Sequence, residues 1–321
     1  MDLRTLNVIV VRITTYYVSQ GNSRQDAAEL ASEELHWLRR RAHAHQSSTV
    51  ETDPEQRQRH LQHMVDQLVR EHKPLAYILG DQPFHPLRTP LELRPPLLIP
   101  RPETEYWVNQ LSTLLPPSAS SQESPYRILD IGTGTGCIPL ALVHSLLHWQ
   151  PTSISASASA PIPDLHIQAL GIDQSPLSIE CATHNAQIND LSSHCHFTLL
   201  DLFDPDLIEK LAPPFHLVVS NPPYIPRQEW AELAPNVKQW EDEKALVAGE
   251  DGLLFYSRIV ELLPRLLRRE GGMVALEVGK GQVPTVRKMV EGLGMTVQVM
   301  VDQWGVERCV VGSSIRTSPH R

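Results

Sequence analysis

Cysteine is scarce in this chain. Cys137, Cys181, Cys195 and Cys309 are the only thiols among 321 residues, and no two form a C-x-x-C pair, so neither a zinc-ligand set nor a disulfide framework is indicated. A reducing compartment is the matching expectation. Long apolar runs are missing too: nothing approaches the roughly 18 to 20 residues that span a bilayer, and with 41% hydrophobic and 20% charged residues the composition is that of a soluble globular chain. There is no basic excess, because 28 Lys plus Arg face 37 Asp plus Glu for a formal charge of −9. That balance argues against a broad duplex-binding surface built on many phosphate contacts and favours a protein or small-molecule partner. Finally, no secretory signal opens the chain. Residues 1–24 hold Arg4, Arg12, Arg24, several hydroxyls, the single acid Asp2 and only the short run Val8-Ile9-Val10-Val11; this composition is faintly like a mitochondrial presequence, and the alternative is an ordinary first helix or strand.

What is present falls into three stretches. Asn22 or Ser23 can cap a helix through Ala27, Leu30, Ala31, Leu35 and Leu38, with Arg39, Arg40 and Arg41 at its end. A second helix follows Pro54 with Leu61, Met64 and Leu68 in register, after a polar Gln-Ser-Ser-Thr spacer, and a short third runs over Pro74 to Leu79 and stops at Gly80. These define a small helical domain over 1–82. Residues 83–101, with Leu91-Glu92-Leu93 and Leu97-Leu98-Ile99 between Pro86, Pro90, Pro95 and Pro96, are expected as a β-hairpin linker. A third domain, 102–321, opens with a helix from Pro102, whose first turn carries Glu103 and Glu105, to about Leu115. Strands then alternate with helices and close with an antiparallel pair, Thr296–Val301 and Val306–Val311, which is the pattern of an α/β doubly wound sheet. Pro151 to Pro163 is low-complexity and is taken as a surface insertion.

The chemistry concentrates at strand ends. Arg127 to Ile131 is an apolar strand holding Asp130, followed by Gly132-Thr133-Gly134-Thr135-Gly136 and a helix. Alternate glycines let backbone N–H groups approach a ligand, while an acid before them suits cationic groups better than a pyrophosphate. Leu165 to Ile172 is a strand ending at Asp173, placed to meet ribose hydroxyls; the interval from the glycines exceeds the usual ~20 residues by about the length of the insertion. Strand His196–Leu200 precedes Asp201-Leu202. Strand His216 to Val219 stops at Asn221-Pro222-Pro223-Tyr224, since prolines cannot continue a central strand. An amide oxygen, a rigid carbonyl at Pro222 and an aromatic ring together fit a planar amide or exocyclic amine; the plain alternative is a loop. Trp230, Leu233, Val237 and Trp240 suggest a lid, and Gly249-Glu250-Asp251-Gly252 leads into a helix. His194 and His196 lie opposite Cys195 by strand alternation, so no metal site is expected; Cys137 is read as a small core residue rather than a redox group.

Asp130-x-Gly-x-Gly-x-Gly136, Asp173, Asp201 and Asn221-Pro222-Pro223-Tyr224, in this order, resemble the class I S-adenosylmethionine-dependent methyltransferases. Pro74-Leu-Ala-Tyr-Ile-Leu-Gly80, Gln82-Pro-Phe84, Ile99-Pro-Arg-Pro-Glu-Thr-Glu105, Gly249-Glu-Asp-Gly-Leu253 and Glu277-Val-Gly279 narrow the resemblance to the HemK/PrmC family. That family methylates the glutamine side-chain nitrogen in the Gly-Gly-Gln motif of class I peptide-release factors. The resemblance implies a seven-stranded mixed sheet, S-adenosylmethionine as cofactor, a release factor as partner with the helical domain recognising it, and a monomer. It assigns Asp130, Gly132, Thr133, Gly134, Thr135, Gly136, Asp173, Asp201, Leu202 and Asn221 to the cofactor, and Asn221, Pro222, Pro223 and Tyr224 to the substrate, with Asn221 catalytic. The chain departs from the family in the insertion and at Trp240-Glu241-Asp242-Glu243-Lys244, where Glu-Pro is usual before the Ala-Leu pair. Glu34-Leu-His-Trp-Leu-Arg39 is similar to fungal organellar members, which points to mitochondria, with the cytoplasm as alternative. Rival readings are an adenine-N6 nucleic-acid methyltransferase, whose flipped base offers the same NH₂ geometry, and a non-catalytic assembly factor keeping the cofactor fold. A nicotinamide dehydrogenase leaves Asp130 and Asn221 without a role.

Overall fold

The computed structural model describes residues 3–44, 54–115, 125–148 and 166–314. The Pro151–Pro163 insertion and the Gln46–Thr49 spacer lie outside them. In chain order the elements are α1 (Leu3–Ser19), α2 (Arg24–Ala44), α3 (Pro54–Arg70), α4 (Leu75–Leu79), β1 (Asp81–Gln82), β2 (Leu91–Glu92), α5 (Pro102–Leu114), β3 (Tyr126–Ile131), α6 (Cys137–Leu147), β4 (Ile167–Asp173), α7 (Pro176–Ile188), β5 (Cys195–Leu199), α8 (Leu207–Leu211), β6 (Leu217–Ser220), α9 (Pro235–Trp240), α10 (Leu254–Leu266), β7 (Met273–Glu277), α11 (Val283–Glu291), β8 (Thr296–Val301) and β9 (Glu307–Ser313). The chain forms two units: one of residues 1–81, 94–96 and 233–241, the other of residues 82–93, 97–232 and 242–321.

The helical unit has its own core. Ile9, Ile13 and Tyr16 of α1 pack with Ala31, Leu35 and Leu38 of α2 and Leu61, Met64, Val65 and Leu68 of α3. The spacing 9, 13, 16 is the three-and-four step that puts side chains on one helix face, so α1 is a folded helix with one face in this core. The segment expected as a lid contributes Leu233–Glu241 to this same unit. Trp240 is its anchor: the indole Nε1 donates to the Glu71 carbonyl at 2.9 Å, and the Lys73 ammonium sits 5.2 Å from the ring centroid.

In the second unit a seven-stranded sheet runs in the order β5-β4-β3-β6-β7-β9-β8. The first five strands are mutually parallel, and β9 pairs antiparallel with both β7 and β8. Buried on both faces, β3 and β6 carry apolar runs, Ile128-Leu129 and Leu217-Val218-Val219. Alternation divides them: Ile128, Leu217, Val219 and Ala275 face a cluster with α5 and α6, while Leu129, Ile131, Val218, Val274 and Leu276 face α10 and α11. The chain builds outward from β3 through β4 to β5, then returns to β6 on the other side of β3. That reversal is the topological switch point, where α/β sheets bind ligands at the carboxyl ends of their strands.

The linker differs from expectation. Its strands are the two-residue β1 and β2, and Leu97-Leu98-Ile99 is not a strand although Leu97 and Ile99 are buried. Pro95, Pro96 and Pro100 surround it, and without N–H donors they deprive a ladder of its hydrogen bonds.

Candidate active site

Asp130 lies one residue before the end of β3 and is 0% exposed. Among the described residues neither carboxylate oxygen meets a hydrogen-bond partner, and the Thr133 and Thr135 hydroxyls are likewise buried and unpartnered. Burial pushes its pKa up to about 7; the neighbouring Thr133 hydroxyl opposes the shift, and the Asp173 charge adds to it. An unpaired buried carboxylate is costly unless something cationic completes it. The Gly132–Gly136 loop that follows is tied to β4 by the N–H groups of Gly132 and Thr133, which donate to the Ile172 carbonyl at 2.9 and 3.0 Å. Gly132 and Gly134 hold φ of +73° and +52°, and a Cβ on either meets nothing within 4 Å. Here glycine is required by the backbone, and open space adjoins the loop.

Asp173, ending β4, is half-buried and braces the loop. Its Oδ2 accepts from Gly134 N–H at 3.0 Å and its Oδ1 from Ser175 N–H at 2.9 Å. Burial raises its pKa, and these N–H donors oppose the shift. Lone pairs on both oxygens remain for further donors. Asp201 is exposed, with Oδ1 accepting from Phe203 N–H at 2.9 Å. Its neighbour Leu202 is 6% exposed, in the apolar cluster with Leu207 and Leu211.

Across the switch point β6 lies beside β3 with Ser220 opposite Ile131, and the Ser220 hydroxyl donates to the Ile131 carbonyl at 2.7 Å. Asn221, the next residue, is thereby set beside Gly132 at the adjoining strand end. It is half-buried, Pro222 is buried, and Pro223 and Tyr224 are half-buried. Tyr224 is held through its backbone: its N–H donates to the Leu246 carbonyl at 3.1 Å, and its carbonyl accepts from Gln282 Nε2 at 2.9 Å. Gly252 packs against that carbonyl closely enough that a Cβ would lie 2.4 Å from it.

Alternation along β3, β6 and β7 gives Asp130, Asn221 and Glu277 the same face, the one α5 covers. Glu277 ends β7 at 2% exposure and accepts through Oε2 from Thr104 Oγ1 at 2.7 Å and Trp107 Nε1 at 2.6 Å, both on α5. Thr104 Oγ1 in turn accepts from Asn221 Nδ2 at 3.4 Å. Burial pushes Glu277 up to about 7, against the two donors that favour its charged form. Burial followed by the Asp130 charge pushes the nearby Cys137 thiol up to about 12, so it is an inert packing residue.

The strand-end positions of Asp130, Asp173 and Asn221 were legible in the sequence; Thr104 and Glu277 entered only inside motif strings, without a role, and Trp107 and Gln282 not at all. One signal was available for Glu277. It closes the apolar run Met-Val-Ala-Leu with an acid, as Asp173 closes its own strand. Among the described residues no group of three His, Cys, Asp or Glu is placed to hold a metal ion, and no helix is long and apolar enough to cross a membrane.

A scan against protein-family models returns no match. Curated relatives do match. The chain is 33% identical over 240 residues to the release factor glutamine methyltransferase of Thermodesulfovibrio yellowstonii, covering 74% of this chain and 76% of the relative. It is 36% identical over 245 residues to that of Geobacter sulfurreducens, covering 75% and 73%. The chain belongs to the release factor glutamine methyltransferase family. Among solved structures, the protein-(glutamine-N5) methyltransferase (release factor-specific) of Alicyclobacillus acidocaldarius is similar at 25% identity and TM-score 0.38, covering 70% of this chain and 99% of that one. As a release factor glutamine methyltransferase family member, the chain has donors and acceptors of the right chemistry for S-adenosylmethionine. The unpartnered Asp130 carboxylate suits the ammonium, the open Gly132–Gly136 backbone suits close approach, and Asp173 retains acceptor capacity for hydroxyls.

Proposed function

We propose that this chain transfers a methyl group from S-adenosylmethionine to the side-chain amide nitrogen of the glutamine in the Gly-Gly-Gln motif of a class I peptide-release factor. The observation that carries this reading is Asn221 at the switch point beside the glycine loop, with its Nδ2 spent on Thr104 and its oxygen left as an acceptor, in a chain of this family. The cofactor supplies an electrophilic methyl group on a sulfonium. Asp130 and Gly132–Gly136 hold its methionine part, with Thr133 and Thr135 in the same loop; Asp173 takes ribose hydroxyls and Asp201-Leu202 borders the adenine.

A glutamine nitrogen is a poor nucleophile because its lone pair is delocalised into the carbonyl. Two acceptors, the Asn221 oxygen and the Pro222 carbonyl, would bind its two N–H groups, aim the nitrogen and stabilise the positive charge that develops on it; as the C–N bond forms the C–S bond breaks, the cofactor leaves as a neutral thioether, and one of the two acidified amide protons passes to a carbonyl or to water. Pro223 and Tyr224 pack on the amide plane. The helical unit recognises the release factor, and the enzyme acts as a monomer on protein rather than nucleic acid, in keeping with the charge of −9. We place it in mitochondria on the strength of the Glu34–Arg39 string; a C-terminally tagged chain confined to the cytosol rejects that placement.

Asn221→Ala tests the mechanism. Losing one well-placed acceptor lowers kcat by about 10²-fold while calorimetric binding of S-adenosylmethionine persists. Wild-type turnover on a release factor by this variant would falsify the assignment.

A further inference from the structure

A carboxamide can lie in its site two ways round, and only one presents oxygen to an incoming N–H. For Asn221 the deciding atoms lie on α5 and β7. The Glu277 Oε2 is an acceptor, because it receives both the Thr104 hydroxyl at 2.7 Å and the Trp107 indole N–H at 2.6 Å. Threonine has one hydroxyl proton, and here it is spent on Glu277. Only lone pairs remain toward Asn221, so the facing atom must be a donor, and Nδ2 stands there at 3.4 Å. The reverse orientation would set two lone pairs against each other. Trp107 keeps the carboxylate in place, since the oxygen that receives the threonine proton also receives the indole N–H.

We infer that Glu277 and Thr104 are positioning residues that fix the carboxamide of Asn221 through a single hydroxyl proton, leaving Oδ1 as the acceptor for the substrate amide. The inference rests on the reading of Asn221 given under Proposed function. It also accounts for a costly feature. Glu277 is 2% exposed with neutral donors on its Oε2 and, among the described residues, no salt bridge, the Arg308 charge acting on it only weakly against burial, a setting in which a buried charge adds little to stability. A residue retained for its acceptor character alone explains an acid at this position.

The test uses the full-length chain, a class I release factor and S-adenosylmethionine. Thr104→Val keeps shape and removes the proton; kcat is expected to fall about 10-fold, the scale of one hydrogen bond, with KM for S-adenosylmethionine within twofold of wild type. Thr104→Ser restores the hydroxyl and most of kcat. Because Thr104 acts through Asn221, the double variant Thr104→Val/Asn221→Ala should be no slower than Asn221→Ala alone, as judged by mass spectrometry of accumulated methylglutamine. A purely structural role gives additive losses instead. Wild-type kcat in Thr104→Val, or a double variant slower than Asn221→Ala by the full Thr104→Val factor, overturns the inference while the methyl-transfer reading stands. A wild-type chain that methylates no release factor overturns that reading, and the positioning role with it. Should Thr104→Val not fold, Thr104→Cys, with a weakly bonding thiol of similar bulk, makes the same comparison.

Discussion

Asp130→Asn should make the ligand-free protein more stable at pH 8 and no more stable at pH 5. In the folded chain the Asp130 carboxyl is fully buried without partners and its pKa is pushed up to about 7 from the ordinary 3.8. A raised carboxyl pKa destabilises the fold: below about pH 4 both states are protonated and there is no penalty, whereas at higher pH the unfolded chain ionises and the folded one resists. The penalty grows at up to about 1.4 kcal/mol per pH unit until the folded pKa is passed, then stays constant. Across the two units from pH 5 to 7 it therefore increases by roughly 3 kcal/mol. Asparagine removes the charge at the same size but leaves its own amide unpaired, a cost of about 1–3 kcal/mol that does not vary with pH. The two terms nearly cancel at pH 5, and the variant gains about 2 kcal/mol over wild type at pH 8 by the same linkage. Glu277, also pushed up to about 7, is present in both proteins and drops out of the difference. Urea midpoints at pH 5, 6, 7 and 8 without ligand measure the trend. On the proposed reading, S-adenosylmethionine added at pH 8 should raise the wild-type midpoint more than the variant's, because its ammonium would complete Asp130 only where the carboxylate exists. A stability difference flat with pH, or a variant weaker than wild type at pH 8, refutes the account of Asp130 as an unpaired buried acid.

Two substitutions test the scaffold. Gly252→Ala places a Cβ 2.4 Å from the Tyr224 carbonyl and 2.7 Å from Gln282 Nε2 at φ +76°. The left-handed alanine alone costs about 1–2 kcal/mol, and the displaced Asn221–Tyr224 turn should lower turnover by about 10²-fold; unchanged denaturation and kinetics contradict the proposed packing. Ile13→Ala, at a side chain 0% exposed, should cost roughly 2–4 kcal/mol in helical-unit stability by urea unfolding, whereas Val8→Ala, 60% exposed, changes it by less than ~0.5 kcal/mol. Equal effects at both sites show that α1 does not pack as described.

The legible parts were those carried by local chemistry. Prolines after Val219 end a strand wherever the strand lies, glycines after Asp130 open a backbone, and the alternation of apolar runs with helical spacing yields a parallel sheet. Leu97–Ile99 misled because apolar, extended residues satisfy a strand pattern while the neighbouring prolines withhold the donors a ladder needs. The anchoring of the presumed lid was hidden for another reason. Trp240 meets Glu71 and Lys73 across more than 160 residues of chain, and no periodicity encodes such a pairing.

The sequence by itself determined the chemical vocabulary: acids at strand ends, a glycine turn, and an asparagine halted by prolines. Tertiary structure alone decided which of these stand together, because strand order β3-β6-β7 is set by crossover topology and not by neighbours in the chain. That order brings Asn221 beside the glycine loop and, through Thr104 across 173 residues, under the control of Glu277. The direction in which a single hydroxyl proton points is a property of packed atoms, and no reading of residues in a line contains it.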